Sequence, residues 1–163
     1  MVKRIVCLAL CALLTLSMLA GCSTSASSLT TKEYKCQELT ITVPTTMRDV
    51  SFKSEFASYT FTLDSSTIAV FGIKEPFTDF DMGSDLTLDE YAKAFIHANQ
   101  MDLTAIDRSN ADYKYFRYTA DEFKYLGGIY KGTTGFWVVQ FAAEPANYNE
   151  TAFFEYLDSV KFS

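Results

Sequence analysis

The sequence predicts an α+β domain whose mostly antiparallel β-sheet is flanked by helices on both faces, an α/β/α sandwich. Three observations carry this expectation. Residues 39–43 and 59–63 alternate apolar with polar side chains, the period of a strand with one buried face. Residues 68–73 and 136–141 are apolar on both parities, as in strands covered on both sides of their sheet. Two stretches, opening at Thr87 and near Asn149, place apolar residues at helical spacing and supply the layers that would do the covering.

Taken in order, residues 39–43 form the first strand, stopped by Pro44, which has no N–H to donate. Arg48, Asp49, Lys53 and Glu55 make a charged loop, interrupted by Val50 and Phe52, with room for a short strand. The strand at 59–63 turns at Asp64-Ser65-Ser66 and pairs with 68–73 as a hairpin. Thr87-Leu88-Asp89-Glu90 fits a capping box, in which the Thr hydroxyl and the Glu carboxylate satisfy each other's backbone donors. Leu88, Tyr91, Ala92, Phe95 and Ala98 then form the buried stripe of a helix that fades at 100–102. After a polar linker at 107–112 come three strands in close succession, 113–119, 123–131 and 136–143. Gly132-Thr133-Thr134-Gly135 joins the last two as a hairpin loop, and the last is the centre of the sheet, ended by Pro145. Asn149 caps the second helix, with Glu150 at its positive end and Phe153, Tyr156, Leu157 and Val160 as its buried stripe.

This order resembles the PsbP-like fold, which the fungal Ran-binding Mog proteins and many small bacterial lipoproteins share. The residues that carry the resemblance are Ile41-Thr42-Val43-Pro44, Leu86-Thr87-Leu88-Asp89-Glu90-Tyr91 and Gly135-Phe136-Trp137-Val138-Val139-Gln140-Phe141, within a span of 39–162. The resemblance implies a fold. It transfers no binding motif to any residue, since members of the fold differ in function.

Ahead of the domain, Lys3 and Arg4 precede an apolar run at 5–20, the layout of a secretory signal. The run is shorter than the roughly 20 residues a helix needs to span a bilayer. It ends in Leu19-Ala20-Gly21-Cys22, which resembles the lipobox of bacterial lipoproteins. That resemblance implies cleavage before Cys22, a diacylglyceryl (palmitate-type) anchor on its sulfur, and a place at the extracytoplasmic face of the cell membrane. Two acyl chains suit durable anchoring, because one holds a protein only marginally. The expected organisation is a signal peptide at 1–21, a lipidated N-terminus and flexible tether at 22–35, and one globular domain at 36–163. Ser and Thr dominate the tether, which has little apolar surface to bury.

Charge and cysteine narrow the partners. Loss of Lys3 and Arg4 leaves 12 basic against 20 acidic residues, a balance of −8. That sign is wrong for phosphate backbones, so nucleic acid is not an expected partner. Cys7 and Cys11 leave with the signal and Cys22 takes the lipid, so Cys36 has no partner for a disulfide and reads as an idle thiol.

Three features could carry chemistry. Asp79, Asp81, Asp85, Thr87 and Glu90 echo the ligand spacing of a calcium loop, although the glycine stands one place early and no helix leads in. Their other reading is an acidic, solvated loop at a helix N-terminus. His97 stands alone and near the polar side of its helix, which supports neither a triad nor a zinc site. Tyr113, Tyr115, Phe116, Tyr118, Tyr125, Tyr130 and Trp137 are either sheet packing or a surface for glycan or peptide recognition. No catalytic set and no cofactor motif stands out. The expectation is a membrane-anchored, extracytoplasmic binding or scaffolding lipoprotein of the cell envelope, held to the membrane by Cys22 and meeting an envelope protein or glycan. The alternatives are an envelope hydrolase whose site assembles only in the fold, and a calcium- or solute-binding lipoprotein.

Overall fold

The computed structural model describes residues 30–50, 59–101 and 112–163. The signal-like segment, Cys22, Phe52, Lys53, Glu55 and all but Asp112 of the 107–112 linker lie outside the described residues. Within them the chain forms β1 (Thr31–Cys36), β2 (Leu39–Pro44), β3 (Arg48–Asp49), β4 (Phe61–Asp64), β5 (Ile68–Pro76), α1 (Leu88–Ala98), β6 (Tyr113–Ala120), β7 (Phe123–Lys131), β8 (Gly135–Ala143), α2 (Glu150–Asp158) and β9 (Lys161–Phe162). Two 3-10 turns, Phe77–Asp79 and Gly83–Asp85, connect β5 to α1.

Six strands form one antiparallel sheet in the order β3-β4-β5-β8-β7-β6, so the two doubly apolar strands, β5 and β8, lie side by side at its centre. Register sorts their side chains. Ile73, Val138, Ile129 and Phe116 face α1, packed on Leu88, Tyr91, Ala92, Phe95 and Ile96. Val70, Phe141, Leu126, Trp137 and Val139 face the opposite way, onto Phe153 and Leu157 of α2 and onto Leu39, Ile41 and Val43 of β2. A further cluster of Phe71, Tyr125 and Ala142 continues the α1 side farther along the strands. Two glycines let rings lie flat on the sheet: a Cβ on Gly72 would stand 2.0 Å from the Phe61 ring, and one on Gly127 2.2 Å from that of Phe116.

The expected α+β class and its helix-covered faces are therefore present, with one addition. A second sheet, β1-β2-β9, shares a face with α2. It absorbs part of the expected tether, because Thr31–Cys36 pairs residue for residue with β2. This strand hides from composition: it is an edge strand whose outer residues are exposed, and it is held by backbone hydrogen bonds more than by apolar burial. Three smaller corrections follow. Thr62 is buried, so β4 is covered on both faces rather than one. Val160 lies beyond the end of α2, on the turn into β9, and is only half-buried. Ile96 rather than Ala98 completes the buried stripe of α1.

Both helices start as their caps dictate. Thr87 Oγ1 accepts from Glu90 N at 3.2 Å while Glu90 Oε2 accepts from Thr87 N at 3.0 Å. Asn149 Oδ1 accepts from Ala152 N at 3.1 Å. α1 ends without glycine: Gln100 takes φ +55°, and Met101 N–H to Ile96 O and Gln100 N–H to His97 O satisfy the last carbonyls.

Candidate functional site

The acidic stretch that echoes a calcium loop is tied into the fold at several points. Its two 3-10 turns and the left-handed Gly83 (φ +53°) fold it over one end of the sheet. Lys131 at the end of β7 ties it down, with Nζ donating to Ser84 O at 2.7 Å and Leu86 O at 2.9 Å while lying 5.6 Å from the Phe77 ring centre. Phe77 and Phe80 meet Phe136 edge-on, and Tyr91 stacks on Phe136 at 4.1 Å. Glu90 is committed to its cap: Oε2 also accepts from Thr87 Oγ1 at 2.6 Å, and these bonds hold its carboxyl below the ordinary value. Asp79, Asp81 and Asp85 are exposed. Among the described residues, which include Asp79, Asp81, Asp85, Thr87 and Glu90, no three His, Cys, Asp or Glu side chains are grouped so that they could hold a metal ion.

The aromatic residues are core. Tyr115, Phe116, Tyr125, Tyr130 and Trp137 are buried, and Tyr113 and Tyr118 half-buried. Among the described residues the exposed large apolar side chains are Val50 and Met82, neither aromatic. The two parities of β6 both find cover, Tyr115 under α2 and Phe116 under α1. The phenols act as internal ties: Tyr130 Oη donates to Leu157 O at 2.9 Å, Tyr118 Oη to Gln140 Oε1 at 3.1 Å, and Tyr115 Oη to Asp158. Burial pushes all three phenols above their ordinary pKa, so they stay protonated donors.

His97 sits exposed on α1, next to a surface hollow lined by Ala98, Gln100 and Met101. Cys36 is half-buried, and burial together with the nearby Asp49 carboxylate keeps it a thiol rather than a reactive thiolate.

The most concentrated polar arrangement centres on Glu38, which sequence reasoning did not single out. It follows Gln37, itself held at φ +52° in the β1–β2 turn, and is 8% exposed. Its Oε1 accepts from Trp137 Nε1 at 2.8 Å and lies 3.3 Å from Lys74 Nζ. Its Oε2 accepts from the hydroxyls of Thr134, at 3.0 Å, and Thr133. Lys74 Nζ also donates to Gln37 Oε1 at 2.9 Å and lies 5.5 Å from the Trp137 ring centre. Burial pulls the carboxyl upward, but hydrogen bonds from Thr133, Trp137 and Thr134, with the Lys74 charge, outweigh it and bring the pKa to about 2. With both oxygens filled, the group pins the small sheet to the β7–β8 hairpin. An acid just before an alternating strand reads as solvated, and its Trp137 partner is 99 residues away, so nothing local betrays it.

No protein-family model matches the sequence, and the search of curated proteins finds no match. Among solved structures, the chain is similar to the solution structure of cyanobacterial PsbP (CyanoP) from Synechocystis sp. PCC 6803. The TM-score is 0.59 at 11% identity, over 88% of this chain and 98% of that one. A likeness at that identity speaks for architecture alone. The chain has a PsbP-like fold.

Proposed function

We propose that this chain is a membrane-anchored extracytoplasmic lipoprotein whose PsbP-like domain binds or scaffolds envelope components without catalysing a reaction. The observation that carries the binding reading is where the polar groups go. Glu38, Lys74, Tyr115, Tyr130 and Lys131 each hold one element of the fold to another, instead of converging on a cleft. The anchor rests on Leu19-Ala20-Gly21-Cys22 and the basic, apolar segment before it. Among the described residues the exposed surface is poor in large apolar side chains, which favours polar contacts with a partner, and attachment to a membrane raises the local concentration that such contacts need.

The test is made in intact cells with the full chain and Cys22→Ala. The parent chain is expected in the membrane fraction, labelled by radioactive palmitate, and crosslinked to a defined envelope partner. Cys22→Ala should lose label, membrane association and crosslink together. A crosslink of equal yield in the released variant would show that anchoring plays no part in binding.

A further inference from the structure

We propose that the end of the domain carrying Thr30, Thr45 and the turn at 64–67 is its lipid-facing surface, and that the β7–β8 hairpin end stands away from the bilayer. The inference rests on the anchor at Cys22 proposed above. Thr30 is already part of the domain: its carbonyl accepts from Thr45 N at 2.9 Å, and the two hydroxyls lie 2.8 Å apart. From there β1 runs the length of the small sheet, Thr31 opposite Pro44 at one end and Cys36 opposite Leu39 at the other. The large sheet shares this polarity. Arg48 pairs with Asp64 and Asp64 with Ala69 near the start of β1, while Glu38, past its end, bonds to Thr133 and Thr134 in the β7–β8 hairpin.

Lengths decide the orientation. Eight residues separate Cys22 from Thr31. Whatever conformation they take, the chain from Cys22 to Thr30 reaches at most about 29 Å at ~3.6 Å per residue. β1 alone covers roughly 17 Å at ~3.4 Å per residue, and the hairpin and the 77–86 loop extend beyond it, to roughly 25 Å. Bringing that far end to the bilayer would therefore draw the leash nearly straight and double it back along the domain. Every shorter conformation leaves the Thr30 end nearest the lipid.

The test uses the full chain, matured in cells, purified and reconstituted into phosphatidylcholine vesicles doped with a headgroup nitroxide lipid. In a Cys36→Ser background, a fluorophore is placed at Ser66→Cys in the lipid-facing turn or at Ser84→Cys in the far loop, both exposed positions. Nitroxide quenching is expected to be several-fold stronger at position 66 than at 84. Inserting a Gly/Ser spacer of ~20 residues after Ser28 should bring the two toward equality. Equal or reversed quenching on vesicles that still float the protein would overturn the orientation and leave the anchor standing. Protein that fails to float with the vesicles would overturn the anchor and the orientation with it. A difference undiminished by the spacer would overturn the leash as its cause.

Discussion

The two faces of the six-stranded sheet both bury rings and aliphatic side chains but treat their polar atoms differently. Under α2 and the small sheet, Glu38, Trp137 and Tyr130 all have partners, and the Thr42 N–H donates to Ser159 Oγ at 2.8 Å. On the α1 side, three buried side-chain atoms among the described residues have none: Thr62 Oγ1, the Tyr91 hydroxyl and Asn99 Oδ1. Tyr91 buries its hydroxyl near Glu75 without closing a bond of normal geometry, and burial pushes the Glu75 carboxyl above its ordinary value. Ring packing and a good cap hold the α1 face. The α2 face adds a polar lock that joins distant segments. That lock sits past the end of β1, at the β7–β8 hairpin end of the domain and away from Thr30.

The comparison can be broken by mutation, and the largest effect belongs to the lock. Glu38→Gln leaves the mostly buried Lys74 ammonium without its counter-charge, and removal of one member of a buried pair costs about 3 kcal/mol. Urea denaturation should show this as a lower midpoint at unchanged slope. A loss below about 0.5 kcal/mol would show the cluster to be ornamental.

Acid should act through the same residue. Its folded pKa of about 2 lies below the ordinary value of 4.5, so its contribution is complete above pH 4.5 and disappears as pH falls toward 2. The parent chain should lose stability across that window by more than Glu38→Gln does, and parallel profiles would contradict the assignment. Tyr130→Phe, which removes one buried hydrogen bond to Leu157, should cost about 1 kcal/mol. On the other face the sign reverses. Thr62→Val keeps the shape and deletes an unpartnered hydroxyl, and thermal unfolding should show a gain of up to about 1 kcal/mol. A clear loss there would mean that the two faces do not differ as described.

Legibility followed the range of the interaction. Strands β5, β7 and β8 and the openings of both helices could be read from residues within a few positions, because alternation, glycine turns and capping boxes are local. β1 could not, since Thr31, Glu33 and Lys35 face water and the ladder to β2 leaves no trace in composition. β9 is two residues long and exists by pairing with Leu39 and Thr40. The aromatic run was visible, but which rings face outward depends on what covers each side of β6. The Asp79 to Glu90 spacing is ambiguous because a calcium loop and a capped helix entrance ask for acids at overlapping positions, and Lys131, which ties this loop to β7, lies 45 residues beyond Leu86.

The central claim is that acyl chains on Cys22 hold this folded domain at a membrane. Intact-mass analysis of the chain extracted from the membrane fraction tests it most directly. The account predicts a mature protein beginning at Cys22 and heavier than its sequence by a diacylglyceryl group. A product that still begins at Met1, or one cut elsewhere without fatty acid, would contradict it.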